Sequence, residues 1–233
     1  TNAPVPFAGG GTRSVAEADA TRPIEPVAGG FRLIEQDQSS GHSTFDGLYA
    51  NARKRFNQGF AVDVAYTLSR IENDTDDINF RPIDSRRPDD ELAPSLNDRR
   101  HVLAINGLVR VPLAIDVAPV LLLSSGQPLN VTTGRDDNGD TIFNDRPAGF
   151  ARNSERTPGF AQFDLGLVRR FSVGTASVEA RAEVFNVFNR TNFSGFFNWG
   201  ASGVRPDEQG TLDVQPTQAG PARQFQFTAR VRF

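Results

Sequence analysis

The strongest fold signal in the sequence is GFAVDVAYTLSR, residues 59–70, in which apolar side chains recur at every second position. Successive side chains of a β-strand point to opposite faces of the sheet, so a period of two predicts a strand. The segment TFDGLYANARKRF at 44–56 precedes it, and Asn57, Gln58 and Gly59 between them form a tight-turn sequence. The two segments therefore predict an antiparallel β-hairpin.

The same alternation recurs along the chain and predicts an all-β fold, an antiparallel meander of about eight strands. The further segments are 100–111, 114–132, 162–171, 177–187, 223–233 and, more weakly, 31–36. Pro119 lies inside one of these segments, and because proline cannot donate to a β-ladder it weakens the predicted pairing there.

Short and long connections alternate between the predicted strands. Turns near 57–58, 112–113 and 172–175 span a few residues. The connections at 73–98, 134–158 and 189–221 are each about 25 residues or longer and rich in Asp, Asn, Gly, Pro and Arg. Such long loops are uncommon in compact soluble domains, whereas short turns at one end and long loops at the other are typical of outer-membrane barrels. The first 30 residues break the alternation, because a strand at 31–36 would put this long stretch on the short-turn side.

Composition excludes several classes of protein. The 233 residues carry 25 basic and 28 acidic side chains, a net charge of −3 that gives no reason to expect a nucleic-acid partner. There is no cysteine, which excludes disulfides, thiol catalysis and Cys-ligated metals. The longest apolar run, 117–123, is far shorter than the roughly 18 residues of a helical membrane span. The absence of methionine, even at position 1, predicts a fragment or a processed chain.

The two faces of the predicted strands differ in polarity. Phe60, Val62, Val64, Tyr66 and Leu68 share one face, which by parity is also the face of Phe225, Phe227, Ala229 and Val231. In a membrane barrel this face would contact outer-membrane lipid and the other would line the lumen, whereas a soluble β-sandwich would pack one face inward. The predicted lumen-facing residues are Arg53, Arg55, Asp63, Arg110, Arg170, Glu179, Arg181, Glu183, Arg230 and Arg232. Their mixed charges fit either a wet lumen or bulk water.

The strand ends favour the barrel. Lys54 and Arg169 are the exceptional charges on the apolar face, and each lies near a short turn, where a long side chain can reach the lipid headgroups. Phe56, Phe171 and Phe233 mark the same end. Against this, the chain has 19 Phe, two Tyr and one Trp, whereas membrane girdles favour Tyr and Trp.

The C-terminal strand ends in Phe233, with Phe225 and Phe227 alternating before it. This matches the terminal strand signature typical of outer-membrane proteins, which the barrel-assembly machinery reads. The three phenylalanines are therefore the candidate assembly signal.

The chain resembles the C-terminal barrel portion of TonB-dependent outer-membrane receptors, in particular the Oar-like branch. The matching stretches are LYANARKRFNQGFAVDVAYTLSR (48–70), NDRRHVLAINGLVRVP (97–112), SSGQPLNVTTG (124–134), DNGDTIFNDRP (137–147), FDLGLVRRF (163–171), EARAEVFNVFNRTNF (179–193) and ARQFQFTARVRF (222–233). The resemblance implies that residues 1–233 are the C-terminal part of one barrel domain, which in the intact protein is plugged and has about 22 strands. The plug and the energy-coupling box are not visible in this sequence.

The resemblance also implies a function in the bacterial outer membrane: binding and uptake of an external solute, energised by the TonB system through the missing N-terminal region. Two alternatives remain open at this point. One is a non-transporting outer-membrane barrel, either an adhesin or a passive pore, and the other is a secreted β-sandwich binding module.

Enzyme chemistry has little support in the sequence, and no cofactor is expected. His42 and His101 are the only histidines, neither lies in a catalytic motif, and no Gly-rich phosphate loop is present. Asp136, Asn138 and Asp140 resemble the start of a calcium loop, but position 12 of that loop is Pro147 instead of a bidentate Glu. A solvated external turn is the preferred interpretation there, and a hydrated loop is expected for the second acidic cluster, Asp74, Asp76 and Asp77.

Overall fold

The computed structural model describes residues 2, 4–5, 13–28, 30–32, 34–77, 80–138, 142–196 and 216–233. Strands dominate it. They are β1 (Ser43–Asn57), β2 (Phe60–Asn73), β3 (Ala93–Pro94), β4 (His101–Val111), β5 (Ile115–Ser124), β6 (Pro128–Leu129), β7 (Glu155–Arg156), β8 (Phe160–Val173), β9 (Ala176–Phe185), β10 (Phe193–Phe196), β11 (Pro216–Ala219) and β12 (Gln224–Arg232).

Helical structure in the described residues is limited to short pieces. Helix α1 (Val15–Asp19) is a single turn, capped by Ser14, and 3₁₀ turns cover Pro88–Glu91 and Pro112–Ala114. None of the helices in this part of the chain is long and apolar enough to cross a membrane.

The seven long strands form one antiparallel sheet in the order β1-β2-β4-β5-β8-β9-β12, with β3 added at the end of β2. Every long strand pairs with the next long strand along the chain, which confirms the predicted all-β meander of about eight strands. The described part of the sheet is open, because β1 and β12 are its two edges and do not pair with each other.

The predicted strand at 31–36 is wrong. Residues 34–36 have no regular structure, and the side chain of Phe31 is 90% exposed. The segment is held by side chains instead of a β-ladder, since Arg32 pairs with Asp19 at 2.9 Å and Glu35 pairs with Arg81. The first edge of the sheet is therefore β1.

With β1 as the first strand of the sheet, short turns and long connections alternate along the described chain. Because Ser43 pairs with Asn73, the stretch before β1 enters at the end of the sheet where the long loops lie. The short turns, around 58–59, 112–114 and 174–175, all lie at the opposite end. We call these the long-loop end and the short-turn end.

The predicted strand 114–132 is also too long. β5 ends at Ser124, and β6 leaves the sheet to pair with β7 in the long loop that follows. The chain turns away at Gly126, whose missing side chain is required because a Cβ atom there would lie 1.7 Å from the carbonyl oxygen of Thr157.

Strand register establishes which residues share a face. One line of directly paired residues crosses the sheet through Phe60, Val109, Val117, Leu167, Ala182 and Phe227. Directly paired residues point to the same side, so the apolar sets of β2 and β12 lie on one face, as predicted. We call it the apolar face, and the opposite side the polar face.

Burial is inverted relative to a water-soluble β-protein. In the described residues the buried hydrophobic side chains are Ala18, Ala93, Leu129 and Val131, and none belongs to a long strand. The buried residues of the long strands are Ser69, Asn73 and Asp116, all polar. A sandwich would bury its apolar face against a second sheet, and this arrangement excludes the secreted β-sandwich.

Candidate functional site

A ladder of ion pairs crosses the polar face near the short-turn end. The Arg110 guanidinium on β4 donates to both carboxylate oxygens of Asp116 on β5, at 2.7 and 3.1 Å. Arg170 on β8 bridges Asp116, at 3.3 Å, and Glu179 on β9, at 2.7 Å. Each carboxylate is thus contacted from a neighbouring strand, and alternating charges link four strands in one row.

Further pairs extend this polar face. Arg181 lies between Glu179 and Glu183 on the same strand, at 3.7 and 3.6 Å, and Arg53 approaches Asp63 at 3.4 Å. Arg230 and Arg232 on β12 share the face by register, because they pair with Glu179 and Ser177. Arg55 lies in the irregular stretch between Lys54 and Asn57. The structure therefore brings nine of the ten predicted lumen residues onto one face through strand pairing.

A second group of charges lies at the long-loop end, between loops 74–100 and 125–159. We call it the loop cluster, and its members are Asp76, Glu91, Asp98, Arg146, Arg152 and Arg156. Arg152 is 2% exposed and donates to the backbone oxygen of Asn73 at 2.7 Å and to its side-chain oxygen at 2.6 Å. It also pairs with Asp76 at 2.7 Å, and its guanidinium lies 4.8 Å from the centre of the Phe80 ring.

The other two arginines make equivalent connections. Arg146 pairs with the buried carboxylate of Glu91. Arg156 pairs with Asp98, which is fully buried, and donates to the backbone oxygen of Gly126 at 3.0 Å. Asp98 in turn accepts a hydrogen bond from the Ile71 amide on β2 at 3.0 Å. The loop cluster is thereby joined directly to the sheet.

Two carboxyls of the loops have shifted pKa values of opposite sign. Burial raises the pKa of Asp76, but the hydrogen bond and charge of Arg152, assisted by Asn153 and the Leu96 amide, outweigh it and hold that pKa below its usual value. Burial, together with the nearby charges of Asp136 and Asp137, raises the pKa of Asp145. The interpretation as a hydrated loop is therefore wrong for Asp76, which is half-buried in an ion pair, whereas Asp77 is exposed.

The long strands expose their apolar side chains on one face and bury only polar residues, in an open meander. These features are typical of a sheet that contacts lipid on one side. Among known families, a model of the outer membrane beta barrel domain matches residues 1–150 and 148–226. The chain belongs to the outer-membrane β-barrel domain family. Its location is the bacterial outer membrane. Neither a curated protein nor a solved structure matches it.

The apolar face of this barrel domain contains both predicted interfacial cations. Lys54 donates to the backbone oxygens of Asn57 and Phe60 at 2.8 and 3.2 Å, and its Nζ lies 3.6 Å above the Phe60 ring. This side chain therefore folds back onto the β1–β2 turn. Arg169 points to the same face at the same end, since it pairs with Ile115 and Ala180.

Other predicted residues occupy simpler positions. His101 begins β4, where its Nδ1 lies 2.7 Å from the Tyr66 hydroxyl. The candidate assembly signal lies on edge strand β12 and just beyond it, with Phe225 63%, Phe227 78% and Phe233 fully exposed. Its recognition by assembly machinery stays a prediction.

The calcium-loop interpretation is covered only in part, because Asp140 lies outside the described residues. In the described part of the loop, one carboxylate oxygen of Asp145 accepts from the amides of Asp137 and Asn138, at 2.7 and 3.3 Å. The Asn138 carbonyl accepts from Arg13 at 2.6 Å. No group of three or more His, Cys, Asp or Glu that could hold a metal ion occurs among the described residues.

Sequence reasoning missed the three arginines of the loop cluster. They lie in a long connection with no period of two, so nothing local distinguishes Arg152 from a solvated loop residue. The one available signal was the abundance of arginine and aspartate in both long loops, which also fits hydrated loops.

Proposed function

We propose that this chain is the C-terminal barrel section of a TonB-dependent receptor of the Oar-like branch, which binds an external solute and takes it up. The observation that carries the proposal is the loop cluster. Its buried ion pairs hold two long loops together at one end of the barrel wall, so the outer surface of those loops has a defined shape before any solute arrives. Preorganisation of this kind lowers the entropic cost of binding.

The polar face supplies the second part of the proposal. Its paired charges make a wet, structured wall that leads from the loop cluster toward the short-turn end, where a solute would leave for the periplasm. The predicted lumen-facing residues are then the inner wall of the receptor, and the apolar face contacts outer-membrane lipid.

The remaining partners follow from the same proposal. The plug and the segment that contacts the TonB system belong to the N-terminal part of such receptors, and the barrel-assembly machinery would recognise the terminal phenylalanines. No enzymatic activity, cofactor or nucleic-acid partner is assigned to the chain.

A genetic epistasis experiment tests this function. Strains lacking the gene, lacking TonB, or lacking both are grown on a panel of single nutrient sources at limiting concentration. For a TonB-dependent receptor, the deletion slows growth on one source, loss of TonB reproduces that defect, and the double deletion adds nothing.

The alternatives give different outcomes in the same strains. A passive pore would show a growth defect that persists, and adds to the defect of the TonB strain, because diffusion through it needs no energy coupling. An adhesin would show no nutrient-specific defect and a loss of surface attachment. Either result would contradict the proposed uptake function.

A further inference from the structure

A groove of about 460 Å³ lies on the apolar face, across β8, β9 and β12. Its floor is made by Ala180, Ala182 and Ala229, whose side chains end at Cβ. Leu167 on β8 forms one wall and Phe227 on β12 forms the other, since both pair directly with Ala182. The groove is therefore narrow, apolar and open to the lipid side.

Arg169 lies at one end of this groove. It is exposed and pairs with Ile115 on one side and Ala180 on the other, so its cross-strand neighbours on this face are apolar. Among the described residues, its guanidinium makes no ion pair and no hydrogen bond. This differs from Lys54, a second cation of the apolar face near the short-turn end, which donates to two carbonyls of its own turn. A guanidinium that faces lipid requires an anionic partner or a path to the headgroups.

We propose that this groove is a binding site for one phospholipid of the periplasmic leaflet, with an acyl chain on the alanine floor and the phosphate at Arg169. The planar guanidinium matches phosphate through paired charge-assisted hydrogen bonds. The lipid supplies an anion at Arg169, where none of the described carboxylates forms an ion pair with it. This inference depends on the outer-membrane location and is independent of the proposed uptake function.

The direction of the groove agrees with that orientation. Arg169 lies in the row Ile115–Arg169–Ala180–Ala229, and the next row on the same face, Val117–Leu167–Ala182–Phe227, is about 7 Å farther from the short turn. Short turns face the periplasm in barrels of this kind. The phosphate would thus lie at the headgroup level and the acyl chain would run toward the bilayer centre.

The test measures lipid binding to the full-length protein, purified from outer membranes in detergent and titrated with phosphatidylglycerol under native mass spectrometry. Arg169→Gln is expected to weaken binding of the first lipid at least about tenfold, because it removes the paired charge-assisted hydrogen bonds of the guanidinium. Ala182→Leu, which fills the floor of the groove, is expected to abolish that binding step. Lys54→Gln is the matched control and should leave it unchanged, because Lys54 is already bound to its own turn.

Several outcomes would overturn the site. These are equal binding by wild type and Arg169→Gln, an equal loss in Lys54→Gln, or displacement of the lipid by millimolar inorganic phosphate, which would indicate a simple ion site. Should a variant fail to fold, the wild type alone still provides the test. A diacylglycerol with the same acyl chains but no phosphate must bind about tenfold more weakly than phosphatidylglycerol, and equal binding would contradict the role of Arg169.

Discussion

At the scale of single residues, Pro119 shows how a central strand of this sheet tolerates a proline. The pairs Asn106–Val120 and Val109–Val117 keep the same register on both sides of it, so the interruption is confined to the positions between them. The proline ring packs over Gly107, where an added Cβ atom would lie 2.9 Å from the ring Cγ. Gly107 therefore provides the space that Pro119 occupies.

Replacing Gly107 with alanine tests this contact. The new methyl group must push the proline ring away inside a paired region, and we expect the free energy of unfolding to fall by about 1–3 kcal/mol. Gly166→Ala is the control in the neighbouring strand β8, where the nearest atom to the added Cβ is 3.6 Å away. Urea unfolding in lipid vesicles measures both, and an equal effect of the two substitutions would contradict the proline–glycine contact.

At the scale of elements, the long loops form a structure of their own beside the sheet. β3 and the β6–β7 pair lie in them, and Arg152 joins loop 125–159 to the backbone oxygen of Asn73 at the end of β2. The buried hydrophobic side chains Leu129 and Val131 belong to these loops, whereas the long strands bury no hydrophobic side chain among the described residues. The stability of this region should therefore be separable from that of the barrel wall.

Removing the Arg152 guanidinium should open the loops without unfolding the strands. Arg152→Gln leaves Asp76 half-buried without its ion pair, a change that costs about 3–5 kcal/mol for buried pairs. Limited chymotrypsin digestion should then cleave the loops about a hundredfold faster or more, after residues such as Phe80 and Phe150. Arg135 is exposed and pairs with Asp137 at 3.2 Å, so Arg135→Gln is the control and should be cleaved by chymotrypsin at the wild-type rate. If chymotrypsin digests the strands of Arg152→Gln as fast as the loops, the loop cluster and the barrel wall unfold as one unit, and the prediction is wrong.

The pKa of Asp76 predicts how this region responds to acid. Because the folded pKa lies below the ordinary 3.8, the stabilisation is complete well above pH 3.8 and is lost as the pH falls through 3.8 toward the folded value. Hydrogen exchange of peptides from 74–100, corrected for intrinsic rates, should show constant protection from pH 7 to about 5 and a loss below pH 3.8. In Asp76→Asn this pH-dependent loss should be smaller. A remainder is expected because burial of Asp84 in the same loop is outweighed by hydrogen bonds from Arg86 and Arg87, which lower the pKa of that carboxyl too. Asp145 acts in the opposite direction, since its raised pKa means that protonation favours the folded loop.

At the scale of the whole molecule, one sheet separates an apolar from a polar surface. The consequence is that neighbouring residues in one strand experience different solvents. Val64 faces the apolar side through its pairing with Ile105, and Ala65 faces the polar side with Asn51 and Ala104.

Arginine substitutions at these two positions should therefore differ in effect. Val64→Arg places a charge near the middle of the lipid-facing surface and should destabilise the inserted barrel by about 2–4 kcal/mol, whereas an arginine at Ala65 stays hydrated. The measurement is the folded yield in a lipid-vesicle folding assay. Equal yields for Val64→Arg and Ala65→Arg would contradict the assignment of the faces.

The two free edges give the last prediction. Within the described ranges, β1 and β12 are the edges of the sheet, and the unpaired backbone donors and acceptors of such edges are not tolerated by lipid. Closing the arc on itself would give a barrel only just wide enough for side chains and would bury the long charged rows of the polar face. Residues 1–233 refolded alone should associate in a concentration-dependent way and show no stable single-channel current. A discrete, long-lived conductance would refute the open arc.

Much of this architecture follows from local periodicity. In a strand, the face of a residue depends only on its parity, so residues 59–70 and 223–233 were enough to predict the apolar face. Together with the lengths of the connections they favoured an outer-membrane barrel over a β-sandwich. The weak six-residue pattern at 31–36 failed because a strand also needs a ladder partner, and there the side chains of Arg32 and Glu35 bind Asp19 of α1 and Arg81 of a long loop instead.

The loop cluster and the lipid groove could be recognised only in three dimensions. Arg152 donates to the backbone oxygens of Glu91 and Asn73, which precede it by 61 and 79 positions in the sequence. No local pattern encodes such contacts. The groove likewise requires the register of β8, β9 and β12, since Arg169, Ala182 and Phe227 are ordinary residues until strand pairing puts them side by side. Alternation is a property of neighbours along the chain, whereas these sites are made by cross-strand and loop contacts that the chain forms only once it is folded.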